Sequence, residues 1–320
     1  MNNRISKNIK FNKMRNNNIY SGCIHKNEFC DKEISRAHSI QNNGILSKIS
    51  RHGKVMALDF SKIYLNNGEF TLNEVGRNKA STFTGFCNKH DSEIFRPIDS
   101  NKYEEGNFEH NFLFAYRAFA LSYYERYSSY QLMGAKLEEN SNLYQSELGE
   151  RYTLYGSHLD DIEKIRLVMN NNLDNKRFDR ITTNVLVWPD EYGIASTSMF
   201  FIVKDNLGRT INKMSTHYSP FFFTLFPQSG KTYVLLSYYT KSKFKYHFVK
   251  EEIMNMPIEE QKVAISNLIA IYIENIFISP EYWDNIPEDI KMKYYDIFNK
   301  TMGGNKPAKL IAFKDFNLFV

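Results

Sequence analysis

Three cysteines and one histidine carry most of the chemistry on offer in this 320-residue chain. Two of the cysteines bracket the run Cys23-Ile-His-Lys-Asn-Glu-Phe-Cys30. The third lies in Phe86-Cys87-Asn-Lys-His90-Asp91. Thiolate and imidazole are the ligands zinc prefers, and four of them make a closed tetrahedral site. A structural zinc on Cys23, Cys30, Cys87 and His90 would staple two loops distant in sequence, which most helps a segment poor in apolar residues. The Cys-x6-Cys spacing is wider than the usual knuckle, and three unrelated buried cysteines are the other reading. His25 and His38 are the substitutes should one of the four not bind. An odd number of cysteines argues against a disulfide framework and for a reducing, cytoplasmic setting.

The next motif is Ser35-Arg-Ala-His-Ser-Ile40, shortly after Cys30. In this order, residues 20–96 resemble the HNH (ββα-metal) nuclease family. There, one Cys pair precedes a short acidic-His-apolar motif, and a second Cys-x-x-Cys is followed directly by a metal-binding residue. The resemblance implies His38 as general base and Asp91 as a helix-borne metal ligand, with Cys87 and His90 replacing the second Cys pair. It implies phosphodiester cleavage, in which a neutral imidazole activates water and Mg or Mn stabilises the leaving oxygen. By analogy it also implies a bacterial protein in a host-defence setting. The sequence departs from the family at Ala37, where an acidic or His metal ligand usually stands. The family's orienting Asn has no clear match, since Asn78 comes several residues too early. The interval from His38 to Cys87 is long, and a helix rather than a strand is expected after His38. A treble-clef zinc knuckle without catalysis fits the same residues.

Other constellations are weaker. Arg77, Lys79, Lys89 and Arg96 surround the zinc knuckle, and residues 1–60 hold 11 basic and 4 acidic side chains. Such an excess suits phosphate contacts, or is simply a solvated surface. Ser229-Gly-Lys-Thr232 imitates the end of a P-loop, but Thr224 stands where a Gly is required, so it reads as a hairpin turn. Arg117 lies on an apolar helix and needs a carboxylate partner or a cap from elsewhere.

Composition sets the bounds. A net charge of +5 is mild for this length and permits nucleic acid as a partner without announcing it. Apolar residues at 42%, with 25 Phe and 21 Tyr, are enough to build a core. No apolar run reaches membrane-spanning length; the richest, Val263 to Ile278, is broken by Asn267, Glu274 and Asn275.

The elements that must position these residues follow from periodicity. Residues 1–20 read as a poorly packed basic arm. A helix is expected over Ser39 to Arg51, then strands at Lys54 to Phe60 and Glu69 to Leu72. Phe108, Phe112, Ala115, Phe119 and Tyr123 mark a long helix over 107–136. Another is expected from Leu159 to Leu173, capped at Ser157. Strands follow at Thr182 to Trp188, Ala195 to Val203, Phe221 to Phe226, Thr232 to Tyr239 and Phe244 to Val249. Helices at Ile258 to Ile276 and Glu288 to Thr301 precede an edge strand within Lys309 to Val320. The expected fold is α+β: an arm (1–20), a zinc-binding HNH-like module (21–100) and an α+β domain (101–320) of mainly antiparallel sheet with C-terminal helices, the last able to stand as a soluble fragment. Two functions are open. One is a zinc protein that cleaves or senses nucleic acid. The other is a non-enzymatic protein with a purely structural zinc, whose C-terminal domain binds a protein partner or small ligand.

Overall fold

The computed structural model describes residues 2–31, 33–213, 218–302 and 304–320. In chain order its helices are α1 Asn2–Asn17, α2 Ser47–Ile49, α3 Arg77–Ala80, α4 Asn88–Ser100, α5 Phe108–Glu139, α6 Glu147–Asp174, α7 His247–Val249, α8 Ile258–Tyr272, α9 Pro280–Asn285 and α10 Glu288–Met302. The strands are β1 Ala37–His38, β2 Lys54–Leu58, β3 Leu72–Gly76, β4 Thr82–Phe83, β5 Ile181–Trp188, β6 Ile194–Phe200, β7 Phe221–Gln228, β8 Lys231–Tyr239 and β9 Ile276–Ile278. The fold is mixed α+β, as expected. Among the described residues, no helix is long and apolar enough to cross a membrane.

The frame is a seven-stranded antiparallel sheet in the order β3-β2-β9-β6-β7-β8-β5. Its strands read as near-continuous apolar runs because both faces are covered. Phe221, Phe223, Leu225, Val234 and Leu236 pack on one face with α8, α10 and the C-terminal segment. Phe222, Phe226, Tyr233 and Leu235 pack on the other with the buried part of α5. Ser229 and Gly230, at φ 55 and 81, close the β7–β8 hairpin. The P-loop-like tetrapeptide is therefore a turn with Lys231 leading a strand.

Several elements differ from expectation for identifiable reasons. Residues 2–17 form a helix rather than a loose arm, held where Phe11 meets the Tyr64 ring at 5.2 Å and Asn12 Nδ2 donates to Ser61 O at 2.8 Å. Helix α6 starts at Glu147, where Ser146 Oγ accepts from Leu148 N; Ser157 lies inside it and donates to Leu154 O. The stretch Ser39 to Arg51 shortens to a π turn, Asn42–Leu46, followed by α2. The second strand begins at Leu72, where the expected one ended. Phe244 to Val249 ends in the short helix α7, not a strand. Helix α8 stops at Tyr272, and the chain turns extended at Ile273 to supply β9. Lys309 to Val320 forms no strand; Leu310, Phe316, Leu318 and Phe319 are buried from irregular backbone, with Leu318 N bonded to Ser266 Oγ at 2.8 Å.

The composition shift near residue 100 does not coincide with a break in the core. Strands β2 and β3 are the outer part of the large sheet, with Met56 opposite Ile278 and Ala57 opposite Phe277. Ile24, Phe83 and Phe86 share a cluster with Phe119, Phe222 and Phe277. Residues 101–320 expressed alone would leave β9 as an unpaired apolar edge. That fragment is expected to aggregate and to regain solubility when residues 1–100 are co-expressed; sedimentation of the lysate checks this, and a monodisperse fragment would show two separable units.

Candidate metal centre

The knuckle is built around the extended stretch leading into α4. On one side, Gly22 N bonds Thr84 O and Ile24 N bonds Gly85 O at 2.8 Å; on the other, Ser35 N bonds Phe86 O at 2.8 Å and Asn88 N bonds Glu33 O at 3.1 Å. Gly85 is required by close approach, since a Cβ there would sit 2.5 Å from the Phe83 ring and 3.0 Å from Ile24 Cδ1. Helix α6 holds the loop from outside: Arg166 Nη1 and Asn170 Nδ2 both donate to Ile24 O, at 3.2 and 3.0 Å.

These contacts bring Cys23, Cys30, Cys87 and His90 together, with their ligand atoms all within 4.8 Å of one another. Nδ1 of His90 lies 3.3 Å from Cys23 Sγ, 3.5 Å from Cys30 Sγ and 3.4 Å from Cys87 Sγ. A tetrahedral zinc with ordinary bond lengths places sulfur and nitrogen about 3.5 Å apart, so the donor set fits the ion in number, type and spacing. The electrostatics agree. Burial first, then the neighbouring Cys87 and Cys30 sulfurs, push the Cys23 thiol up to about 12. Burial, helped by His25, lowers the His90 imidazole, favouring its neutral, metal-ligating form. His25 is not a ligand but the ligand's neighbour: its ring meets His90 edge-on at 4.8 Å, and its Nε2 is 2.8 Å from Asp174 Oδ1 at the end of α6.

Asp91 follows His90 directly on α4, and His38 lies on β1, four residues past the bridge between Ile34 and Cys87. Strand β1 pairs antiparallel with β4, His38 opposite Thr82, and the chain then runs through Cys87 into α4. His38 Nδ1 is 2.7 Å from Ser81 Oγ, which itself donates to Ile40 O at 3.3 Å. The hydroxyl has one proton, so Nδ1 is the donor toward Ser81 and Nε2 is left as an unprotonated acceptor. Burial first, then Arg117 and Arg77, lower the His38 pKa against the opposing pull of Asp99. Asp91, in the first turn of α4, accepts from Ser35 Oγ at 3.2 Å; burial raises its carboxyl while Arg117 counteracts. The other nearby carboxylates are committed to the start of α4: Asp31 accepts from Lys89 N at 2.9 Å and Glu33 from Asn88 Nδ2 at 3.1 Å. Among the described residues, the Cys3His set alone brings three or more such side chains within reach of one ion.

Arg117 finds its carboxylate in Asp99, 2.7 Å away, and its guanidinium lies 4.2 Å over the Phe95 ring. It is the charge that both His38 and Asp91 feel. A buried Arg on an apolar helix was the only sequence sign of it; nothing marked Asp99.

The molecule is thus an α+β protein carrying a Cys3His group of zinc-site geometry, with His38 on the two-stranded β1–β4 pair. No family model, no curated protein and no solved structure matches the chain.

The purified protein is expected to contain one zinc per chain by elemental analysis. Cys87→Ser, or stripping with a chelator, should lower Tm by at least about 4 °C, as loss of a few kcal/mol does in a chain this long. Zinc-free protein that melts at the unchanged temperature would exclude a structural ion.

Proposed function

We propose that the chain is a zinc-stapled protein that cleaves nucleic acid, with His38 as general base. The observation that supports this best is the order β1, β4, α4, with the cysteine ligands entering before β1 and at the start of α4 and His38 held through Nδ1. Nε2 is then the atom that takes a proton from the attacking water or hydroxyl. The lowered pKa keeps it unprotonated at neutral pH. Arg77 and Arg117 are the nearby positive charges; Arg77 Nη1 is fixed by Asn42 O at 2.9 Å, and Arg117 by Asp99. No step is assigned to Mg or Mn.

One observation favours a different reading. Asp31, Glu33 and Asp91 all have structural partners in or beside α4, which suits a knuckle that only holds the fold together. In that case the protein is non-enzymatic and binds a partner instead.

Incubation of zinc-loaded protein with labelled DNA and RNA, with and without Mg or Mn, separates the two. Cleavage is expected to hold as pH falls to 6.5, the ordinary value of a histidine, and to fade only below it. His38→Ala should reduce the rate by at least about a hundredfold while zinc content stays at one per chain. Wild-type protein inert on both polymers under all these conditions would leave the non-enzymatic reading.

A further inference from the structure

Two cavities of about 360 and 290 Å3 meet at a pair of carboxylates, Glu125 of α5 and Glu274 in the turn between α8 and β9. Glu125, Ser129 and Glu274 line both. The first cavity lies against α1, β2, α3 and α5; the second lies against α5, α6, β6 and the segment after α10. Glu274 is exposed and Glu125 half-buried, both in the walls of these cavities. Neither carboxylate has a hydrogen bond or ion pair among the described residues.

Three of the cations around them have partners of their own, and Lys79 also lines the first cavity. Lys306 Nζ donates to Ile271 O at 2.5 Å and Thr301 O at 3.2 Å, and lies 4.9 Å from the Tyr272 ring centre. Arg126 lies 5.5 Å over Phe201, and Arg15 lies 5.8 Å over Phe60. What the two carboxylates lack among the described residues is an N–H donor in direct contact. A bare ion does not answer it: no third His, Cys, Asp or Glu among the described residues completes an ion-binding group there. The space is that of a small molecule, with the rings of Tyr124, Tyr155 and Tyr272 in its walls.

We infer that these cavities bind a small organic cation of the amine or guanidine class, its N–H donors shared between the Glu125 and Glu274 carboxylates. The inference stands on the cavities alone and does not depend on cleavage at His38.

Binding is coupled to protons. Enclosure first, then the charge of Glu274, pushes Glu125 up to about 8; Glu274 is raised by the same enclosure, with Lys306 and Arg126 opposing. The free pair thus holds a proton near neutral pH, and a cation displaces it. The other titratable or charged groups facing the pair are Arg15 of α1, Asp59 after β2, Lys79 of α3, Tyr124 and Arg126 of α5, Tyr155 of α6, Tyr272 of α8 and Lys306. Affinity therefore rises with pH through about 8.

Calorimetric titration of the full zinc-loaded chain with putrescine and with agmatine tests this. At least one is expected to bind once per chain at pH 8.5, with about tenfold or more weaker binding at pH 6.5 and net proton release. Glu274→Gln should cost about tenfold or more in affinity. The pH series on unaltered protein stands by itself if that variant fails to fold. Absence of binding by both probes at pH 8.5, or an affinity that pH leaves unmoved, overturns the inference. So does MgCl2 alone titrating the site where neither amine binds.

Discussion

The approach of three cysteine sulfurs to one imidazole nitrogen joins stretches of chain that are distant in sequence. Residues 22–24 and 33–35 flank the path into α4, and the sulfurs of Cys23, Cys30 and Cys87 close on Nδ1 of His90. Without a cation, the loops are joined by hydrogen bonds such as Ile24 N to Gly85 O and Ser35 N to Phe86 O. With one, they become a rigid corner. Everything beside that corner inherits its position. Ser35 meets Asp91 across it, Asp31 satisfies an N–H at the first turn of α4, and α4 then carries Asp99 to Arg117.

The corner is also tied to the large sheet. Helix α6 grips Ile24 O, Ser39 Oγ donates to Asn275 Oδ1 at 3.2 Å beside β9, and β2 pairs with β9. The β1–β4 pair with His38 leads on one side into the Cys3His corner and on the other toward the large sheet. Ser81, which orients the imidazole, also lines the first of the two cavities. The histidine and the Glu125–Glu274 pair therefore share a wall.

What could be read from residues alone depended on how few alternatives the chemistry left. Three thiols and a Cys-x-x-His had one natural arrangement in a reducing setting, and the structure gathers that set of four. Strands β7 and β8 were legible because dense aromatic and β-branched runs flank Ser229-Gly230, a turn signal. β9 was not, because Val263 to Ile278 is one apolar run; the switch from helix to strand at Ile273 is set by the gap between β2 and β6, a tertiary demand. Phe244 to Val249 has strand composition but ends in the short helix α7. Strand β1 is two residues long, below what any pattern registers. Glu125 and Glu274 lie on elements far apart in sequence, so their meeting had no local signal.

The place of β9 in the sheet has a consequence for how the chain comes off the ribosome. The β2–β3 hairpin is made early, but its neighbour, Ile276–Ile278, is made near the end. Roughly 200 residues separate them, which is ~10–40 s of synthesis at ordinary rates. For that interval Met56 and Ala57 present an open strand edge, and the sheet can close only after Ile276–Ile278 has emerged. A zinc captured early at Cys23, Cys30, Cys87 and His90 would fix the loops beside that hairpin while it waits, so metal supply during translation bears on how much of the protein reaches its native fold.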